Sequence, residues 1–237
     1  MDAPSVGTVF ARAWSLLRGN LAIVVPGLVI GAFIGLVTAY LAPPVAVDDV
    51  AAGLARPYDR IARWLVTLIS VIASVMTITY TTGMARSAWE HGRATFADGT
   101  RAFRDDAGNV IVALGLLFLL GFVASLLAPF TLFFSLLAYV FFCIYTMAAA
   151  IVGERNGFAS VVESAAIAWR RPLTTGLLVG GLATIMLAMG AVTSVLSAAP
   201  FVGQVIASVV LQAVVAYFTL VIVGEYRTLA GEGSLAT

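Results

Sequence analysis

The chain has 237 residues, of which 61% are hydrophobic and only 11% charged, and its formal net charge is +1. Soluble globular proteins contain about 25% charged residues, so this composition excludes an ordinary soluble domain and favours an integral membrane protein. The small net charge excludes bulk electrostatic attraction to nucleic acid, and we predict no nucleic-acid partner. The first residues lack the pattern of a cleaved signal peptide, so we expect mature sequence there.

Six stretches are apolar over the roughly 20 residues that a helix needs to cross a bilayer. They cover residues 21–41, 61–85, 110–128, 130–152, 174–198 and 201–224. Spans three and four meet at Ala128-Pro129, and spans five and six meet at Ala199-Pro200, so each pair is antiparallel. The predicted fold class is therefore all-α: a polytopic transmembrane helix bundle that forms one membrane domain over residues 1–237.

All thirteen cationic residues are Arg, and their distribution is unequal. Ten of them lie in the N-terminal segment, in the loops 86–109 and 154–173 and in the C-terminal tail, which together define the Arg-rich side. The positive-inside rule predicts that this side, with both termini, is cytoplasmic. Since the chain is free of Lys and rich in Ala and Gly, we expect a multi-pass protein of a prokaryotic plasma (inner) membrane.

A short amphipathic segment precedes each odd-numbered span. The three segments read "SVGTVFARAWSLLRGN", "ATFADGTRAFRDDAGN" and "GFASVVESAAIAWRRP". Apolar residues recur in them at helical spacing with charged residues on the opposite face, which is typical of a helix lying in the membrane interface. We predict three repeated hairpins, each preceded by an interfacial helix, with repeat units of about 5–92, 94–157 and 158–228.

An aromatic residue is followed closely by Arg in each interfacial segment. Aromatic rings favour the headgroup level of a bilayer, and Arg side chains reach towards it while their stems stay in apolar surroundings. Anionic headgroups attract such Arg residues, so we predict lipid-headgroup contacts. The candidate residues are Trp14, Arg18, Phe103, Arg104, Trp169 and Arg170.

A stripe of polar residues follows one face of each even-numbered span, at steps of mostly three or four. Its candidate residues are Ser70, Ser74, Thr77, Ser135, Tyr139, Gln204, Ser208 and Gln212. A Gln amide has no partner in lipid, so we expect both Gln side chains to face the protein interior. Two interpretations stay open: hydrogen bonding between helices, which we favour, and a polar pocket for a solute.

Two further patterns concern the helix ends and helix packing. Glu90, Glu154 and Glu225 end the even spans, where the macrodipole disfavours acidic residues. We expect each to pair with the Arg nearest in sequence; the alternative is a three-carboxylate gate or metal site. Glycines four residues apart, at Gly27, Gly31 and Gly35 in the first span and at Gly176 and Gly180 in the fifth, predict close helix packing.

The residues of known catalytic and metal-binding motifs are missing from this sequence. The one histidine, His91, lies in an interfacial loop, and the one cysteine is Cys143. We therefore predict no enzyme, with no catalytic, cofactor-binding or metal-binding residues. No span carries an acidic residue in its middle, which disfavours a proton- or sodium-coupled transporter.

The segment "AWSLLRGNLAIVVPG" places an interfacial Trp, an Asn and a Pro-containing first span in succession. With the six-span layout, it resembles a broad group of poorly characterised prokaryotic membrane proteins. It is similar to the membrane domain that is fused to glycerophosphodiester phosphodiesterases. This resemblance covers nearly the whole chain and rests on layout; it implies no catalytic residue, because the phosphodiesterase domain has no counterpart here. The layout also resembles mitochondrial carriers, but only Pro26 lies inside an odd span, so their signature is missing.

Together these observations predict a non-enzymatic integral membrane protein that is an accessory or scaffold subunit or a lipid-interacting protein. Its expected partners are membrane lipids and, as a further option, a larger membrane complex. The alternative is a carrier or facilitator for a small neutral or lipid-like solute that uses the polar stripe. A third option is the membrane half of a two-protein sensor.

Overall fold

The computed structural model describes residues 6–41, 57–196 and 200–233, and the regular elements in these ranges are helices. Six of the helical segments are long and apolar enough to cross a membrane. The predicted all-α transmembrane bundle is therefore confirmed. The loop 42–56 and the connection at Ala199 lie outside the described ranges.

Short and long helices alternate along the chain. In order they are α1 (Val6–Gly19), α2 (Val25–Leu41), α3 (Pro57–His91), α4 (Phe96–Asp105), α5 (Ala107–Leu127), α6 (Phe134–Cys143), α7 (Thr146–Ile151), α8 (Gly157–Arg170), α9 (Pro172–Leu196) and α10 (Pro200–Gly233). A 3-10 turn over Leu21–Ile23 joins α1 to α2. The short helices α1, α4 and α8 precede the odd spans at the places predicted for interfacial helices, while the repeat itself stays a prediction.

The interfacial helices α4 and α8 begin at side chains that cap their first turns. The Asp98 carboxylate accepts hydrogen bonds from the Thr95 backbone N–H (2.9 Å) and hydroxyl (2.8 Å), and the Asn156 side chain accepts one from Ala159. Burial opposes the charge on Asp98, but the bonds from Thr95 outweigh it and hold the pKa of Asp98 below its usual value. Side-chain hydrogen bonds thus fix the N-terminal end of each of these two helices.

The fourth span, predicted over 130–152, is present as an apolar stretch long enough to cross a membrane, Phe134–Ile151, but its helix is interrupted. It consists of α6 and α7, which are separated at Ile144 and Tyr145. The Ser164 hydroxyl, on α8, accepts a hydrogen bond from the Tyr145 N–H (3.1 Å) and donates one to the Phe142 carbonyl oxygen (2.7 Å). A side chain that enters the backbone ladder in this way breaks or bends a helix.

The first and last spans, α2 and α10, pack closely through the glycines of the first span. A Cβ atom on Gly31 would lie 2.8 Å from the Ser208 carbonyl oxygen. A Cβ atom on Gly27 would lie 3.1 Å from the carbonyl oxygen of Gln212, which is one turn further along α10. By contrast, a Cβ on Gly176 or Gly180 would meet nothing within 4 Å, so the prediction of close packing at the glycine pair of the fifth span was wrong.

The buried core lies near the Arg-rich side. Its largest cluster draws on α1, the ends of α3 and α10, and the short helices α7 and α8, with Leu17, Met84, Tyr145, Ile167 and Val221 among its members. Elsewhere the spans are mostly uncovered, since only 17–39% of the residues in each apolar window are buried. The protein interior therefore lies where α1 and α8 meet the spans, and most of the span surface is left for lipid.

Candidate functional site

The aromatic residues predicted to contact headgroups lie at the edge of the protein core and are partly exposed. Trp14 on α1 is 47% exposed, Phe103 on α4 is 42% exposed and Trp169 on α8 is 75% exposed. The Arg18 guanidinium lies 5.0 Å from the centre of the Trp14 ring, which is a cation–π arrangement. Each interfacial helix thus presents an exposed aromatic ring beside an Arg.

The remaining candidate Arg residues, Arg104 and Arg170, are also exposed. Each follows its aromatic neighbour directly in sequence, near the C-terminal end of α4 or α8. The six candidate headgroup residues therefore lie on three separate helices, two on each.

An ion-pair network joins the ends of the even spans, with Arg86 of α3 at its centre. Its Nη2 atom lies 2.7 Å from Glu154 Oε1, and its Nη1 atom donates to the Ile151 carbonyl oxygen over 2.9 Å. Its Nε atom is 3.4 Å from Glu90 Oε1, and Arg227 of α10 lies 2.9 Å from the same oxygen. Arg86 thus ties the end of α3 to the end of α7, and Glu90 extends the network to Arg227 on α10.

This network replaces the local ion pairs expected from the sequence. Glu90 pairs with Arg86 and Arg227, and Glu154 pairs with Arg86. Arg155 instead pairs with the Glu163 carboxylate on α8 at 2.6 Å. The Tyr226 hydroxyl, on α10, donates a hydrogen bond to the other oxygen of that carboxylate over 2.7 Å. The expected pairing with the Arg nearest in sequence was therefore wrong for the first two carboxylates: the partners of Glu90 are one turn earlier on α3 and on α10, and the partner of Glu154 is on α3.

The three span-end carboxylates have different surroundings. Glu154 is exposed and holds a left-handed backbone conformation (φ 52°), whereas Glu225 is only 2% exposed within α10. In the described part of the chain, no three His, Cys, Asp or Glu side chains are placed to hold a metal ion. The three carboxylates therefore form no metal site among these residues.

A charged cleft of about 450 Å³ lies between α3, α4 and the start of α5 on the Arg-rich side. Its wall carries the carboxylates and guanidinium groups of Arg86, Glu90, Asp98, Arg101, Asp105, Asp106 and Glu154. Burial raises the pKa of Asp106, and the nearby charges of Glu154 and Asp105 add to this while Arg86 opposes it. This cleft could not be predicted from the sequence; the paired Asp105-Asp106 was the available signal, but α3 and α5 meet α4 only in three dimensions.

The polar stripe makes most of its recorded hydrogen bonds to backbone carbonyls. Thr77 donates to the carbonyl oxygen four residues before it (2.8 Å). Ser135 donates to the Ala124 carbonyl oxygen (2.7 Å), and Tyr139 donates to that of Leu117 (3.0 Å), so both tie α6 to α5. These bonds stabilise single helices and one hairpin, as expected of helix packing.

Gln212 is the exception in the stripe. It is 6% exposed at the contact of α10 with α2, and among the described residues its Oε1 atom has no hydrogen-bond partner. Ser70, Ser74 and Ser208 are half-buried. The side chain of Gln204 lies outside the described residues. A buried amide oxygen without a partner is uncommon in folded proteins and calls for an explanation.

No protein-family model, curated protein or solved structure matches this chain. The fold alone therefore defines its class, which is that of multi-pass integral membrane proteins with six apolar helices. The resemblance to membrane domains of glycerophosphodiester phosphodiesterases stays a prediction.

Proposed function

We propose that the protein is a non-enzymatic accessory protein of a prokaryotic plasma membrane that holds anionic lipids on its Arg-rich, cytoplasmic side. The observation that carries this proposal is the exposure of Trp14, Phe103 and Trp169, each beside an Arg, on three interfacial helices. Aromatic rings in that position anchor at the headgroup level. The absence of catalytic motifs from the sequence supports a non-enzymatic role.

The Arg residues fall into two groups, paired and exposed, and this difference supports the same proposal. Arg86, Arg155 and Arg227 contact carboxylates of the protein, so their charges are largely compensated. Arg104 and Arg170 are exposed on interfacial helices instead. An Arg near the surface of an anionic leaflet contributes about 1 kcal/mol of attraction. Lipid phosphates are therefore the natural counter-ions for this second group.

The test removes the three candidate Arg residues together, as Arg18→Gln, Arg104→Gln and Arg170→Gln. The protein is released from membranes containing phosphatidylglycerol and phosphatidylethanolamine, and the bound lipid is measured by native mass spectrometry. We expect the ratio of bound phosphatidylglycerol to phosphatidylethanolamine to fall at least about tenfold, since three attractions of about 1 kcal/mol each are removed.

The matched control removes the same charge from the same parts of the chain. It carries Arg12→Gln on α1, Arg101→Gln on α4 and Arg171→Gln at the end of α8. Arg12 lies over the Trp89 ring and Arg101 lines the charged cleft, so we expect the control to keep most of its phosphatidylglycerol. Equal losses in both triple variants would reduce the effect to net charge and refute the proposed headgroup sites.

A carrier or facilitator of a small neutral or lipid-like solute is the second candidate function. The observation in its favour is the buried Gln212 Oε1 atom, which has no partner among the described residues and could bind a polar solute or water. This function requires transport to depend on the Gln212 amide. The other stripe residues favour the first proposal, because their hydrogen bonds go to backbone carbonyls.

A further inference from the structure

An apolar groove of about 410 Å³ lies between the first span, α3 and the interfacial helix α4. Each helix contributes one face to its wall. The lining residues are Val25, Pro26, Val29 and Ile30 from α2, Met76 and Tyr80 from α3, and Phe96, Thr100 and Phe103 from α4. The spacings of three and four residues within each set mean that three helix faces converge on one concave surface.

The few polar atoms at the groove are already bound within the protein. The Tyr80 hydroxyl donates to the Phe96 carbonyl oxygen over 2.6 Å and lies 3.1 Å from the Thr100 hydroxyl. The ring of Tyr80 can lie against α4 because Gly99 has no side chain: a Cβ there would come within 2.5 Å of the ring. An occupant of the groove therefore finds an apolar wall, and it must be apolar itself.

The groove is open towards the surface that the membrane covers. Val29 is 63% exposed and Met76 is 46% exposed, and both belong to helices that are long and apolar enough to span the bilayer. The groove lies at the first turns of α2 and beside α4, which is the interfacial end of these spans. At this depth in a bilayer, an open apolar surface contacts the acyl chains of one leaflet.

The helix that forms one wall of the groove also carries cationic charge at its end. Arg104 directly follows the groove residue Phe103 and is exposed. Arg101 follows Thr100, but it turns into the charged cleft, where it faces Asp98. Arg104 is thus the cation of α4 that is available to a phosphate at the membrane surface.

We propose that this groove holds one acyl chain of an anionic glycerophospholipid from the leaflet on the Arg-rich side, with its phosphate at Arg104. The inference rests on the proposed lipid-holding function and deepens it, because it distinguishes one lipid fixed by its chain from lipids held by charge alone. Each methylene group that enters the groove contributes to binding independently of the headgroup.

The experiment narrows the groove without changing charge. The variant Val29→Phe fills the groove from α2, and Met76→Trp fills it from α3. Both residues are partly exposed, so the larger rings have room in the folded protein. Val123→Phe on α5 is the matched control, because Val123 is 45% exposed and lies outside the groove. Bound phosphatidylglycerol is measured by native mass spectrometry at increasing detergent concentration.

We expect wild-type protein and Val123→Phe to retain one phosphatidylglycerol, and both groove variants to lose at least about tenfold in its occupancy. A tenfold loss corresponds to about 1.4 kcal/mol, which the exclusion of two methylene groups explains. In the variant Arg104→Gln, the chain should stay bound while the preference for phosphatidylglycerol over phosphatidylethanolamine falls.

The outcomes separate this inference from the proposed function. If the groove variants retain phosphatidylglycerol as the wild type does while the triple Arg variant loses it, the groove inference is overturned and the headgroup sites stand. If the groove variants lose it and the triple Arg variant retains it, the acyl-chain site in the groove stands, and the headgroup sites, including the phosphate position at Arg104, are refuted. Retention of a peptide or a non-lipid molecule in the groove would overturn the assigned occupant.

Discussion

Replacing Arg86 with Ala is expected to detach the end of the fourth span from α3. In the native protein the guanidinium donates to the Ile151 carbonyl oxygen over 2.9 Å and contacts the Glu154 carboxylate at 2.7 Å. The substitution removes this charged donor from the carbonyl group of Ile151, a residue that is fully buried. Glu154, which holds a left-handed backbone conformation, would lose the cation that it contacts.

The size of this effect follows from the two contacts. A hydrogen bond from a charged donor contributes about 1.5–3 kcal/mol to the free energy of unfolding. The contact with Glu154 adds less than about 1 kcal/mol, because that carboxylate side chain is 68% exposed and its charge is screened by water. Since the two contacts share one side chain, we expect a total loss of about 2–3 kcal/mol. For a chain of this size, that corresponds to a midpoint lowered by roughly 5–10 °C.

Thermal unfolding of the purified protein in detergent, followed by tryptophan fluorescence, measures this midpoint. Arg155→Ala is the control, because Arg155 also pairs with a carboxylate but its side chain is 58% exposed. Arg86→Lys keeps the charge and loses the forked geometry, so its midpoint should lie between those of the wild type and Arg86→Ala. A midpoint for Arg86→Ala no lower than that of the control would refute the central role of Arg86.

Two further predictions concern the contact between α2 and α10. Gly31→Ala should lower stability by about 1–3 kcal/mol, because the new Cβ would lie 2.8 Å from the Ser208 carbonyl oxygen, whereas Gly180→Ala, which meets nothing within 4 Å, should not lower it. Thermal unfolding of both variants checks this, and equal midpoints would contradict it. Gln212→Leu should raise stability by about 1–3 kcal/mol if Gln212 only packs, because it removes a buried oxygen without a partner. In a liposome-swelling assay with small polyols, loss of uptake in Gln212→Leu would instead favour the carrier.

The number and type of the spans could be predicted because hydropathy depends only on local sequence, but their ends could not. The second span was expected to end at residue 85, yet α3 continues to His91, and the sixth continues past residue 224 to Gly233. Charged residues such as Arg86 and Arg227 lie inside these extensions, where partners on other helices compensate them. A hydropathy pattern shows that a charged residue is present, but it does not show which residue pairs with it.

The features that could not be predicted from the sequence all depend on contacts between distant residues. Ser164 interrupts the fourth span from a helix that begins after it. Asn20, which precedes the first span, accepts a hydrogen bond from the Ala94 N–H and donates one to the Gly92 carbonyl oxygen. The aromatic residues of the interfacial helices were identifiable, because their spacing and their neighbouring Arg residues are local. The groove was not, since its three walls come from three helices.

The contact between α2 and α10 has a consequence for how the protein is made. Ribosomes extend a chain at about 5–20 residues per second, so on the order of ten seconds or more pass between the synthesis of the first span and that of the last. During this time Gly27 and Gly31 face lipid or the insertion machinery, since the surface that covers them does not yet exist. The bundle can close only after α10 has been inserted, and a ribosome that stalls before then leaves a nascent chain whose first hairpin is open to capture by quality-control proteases.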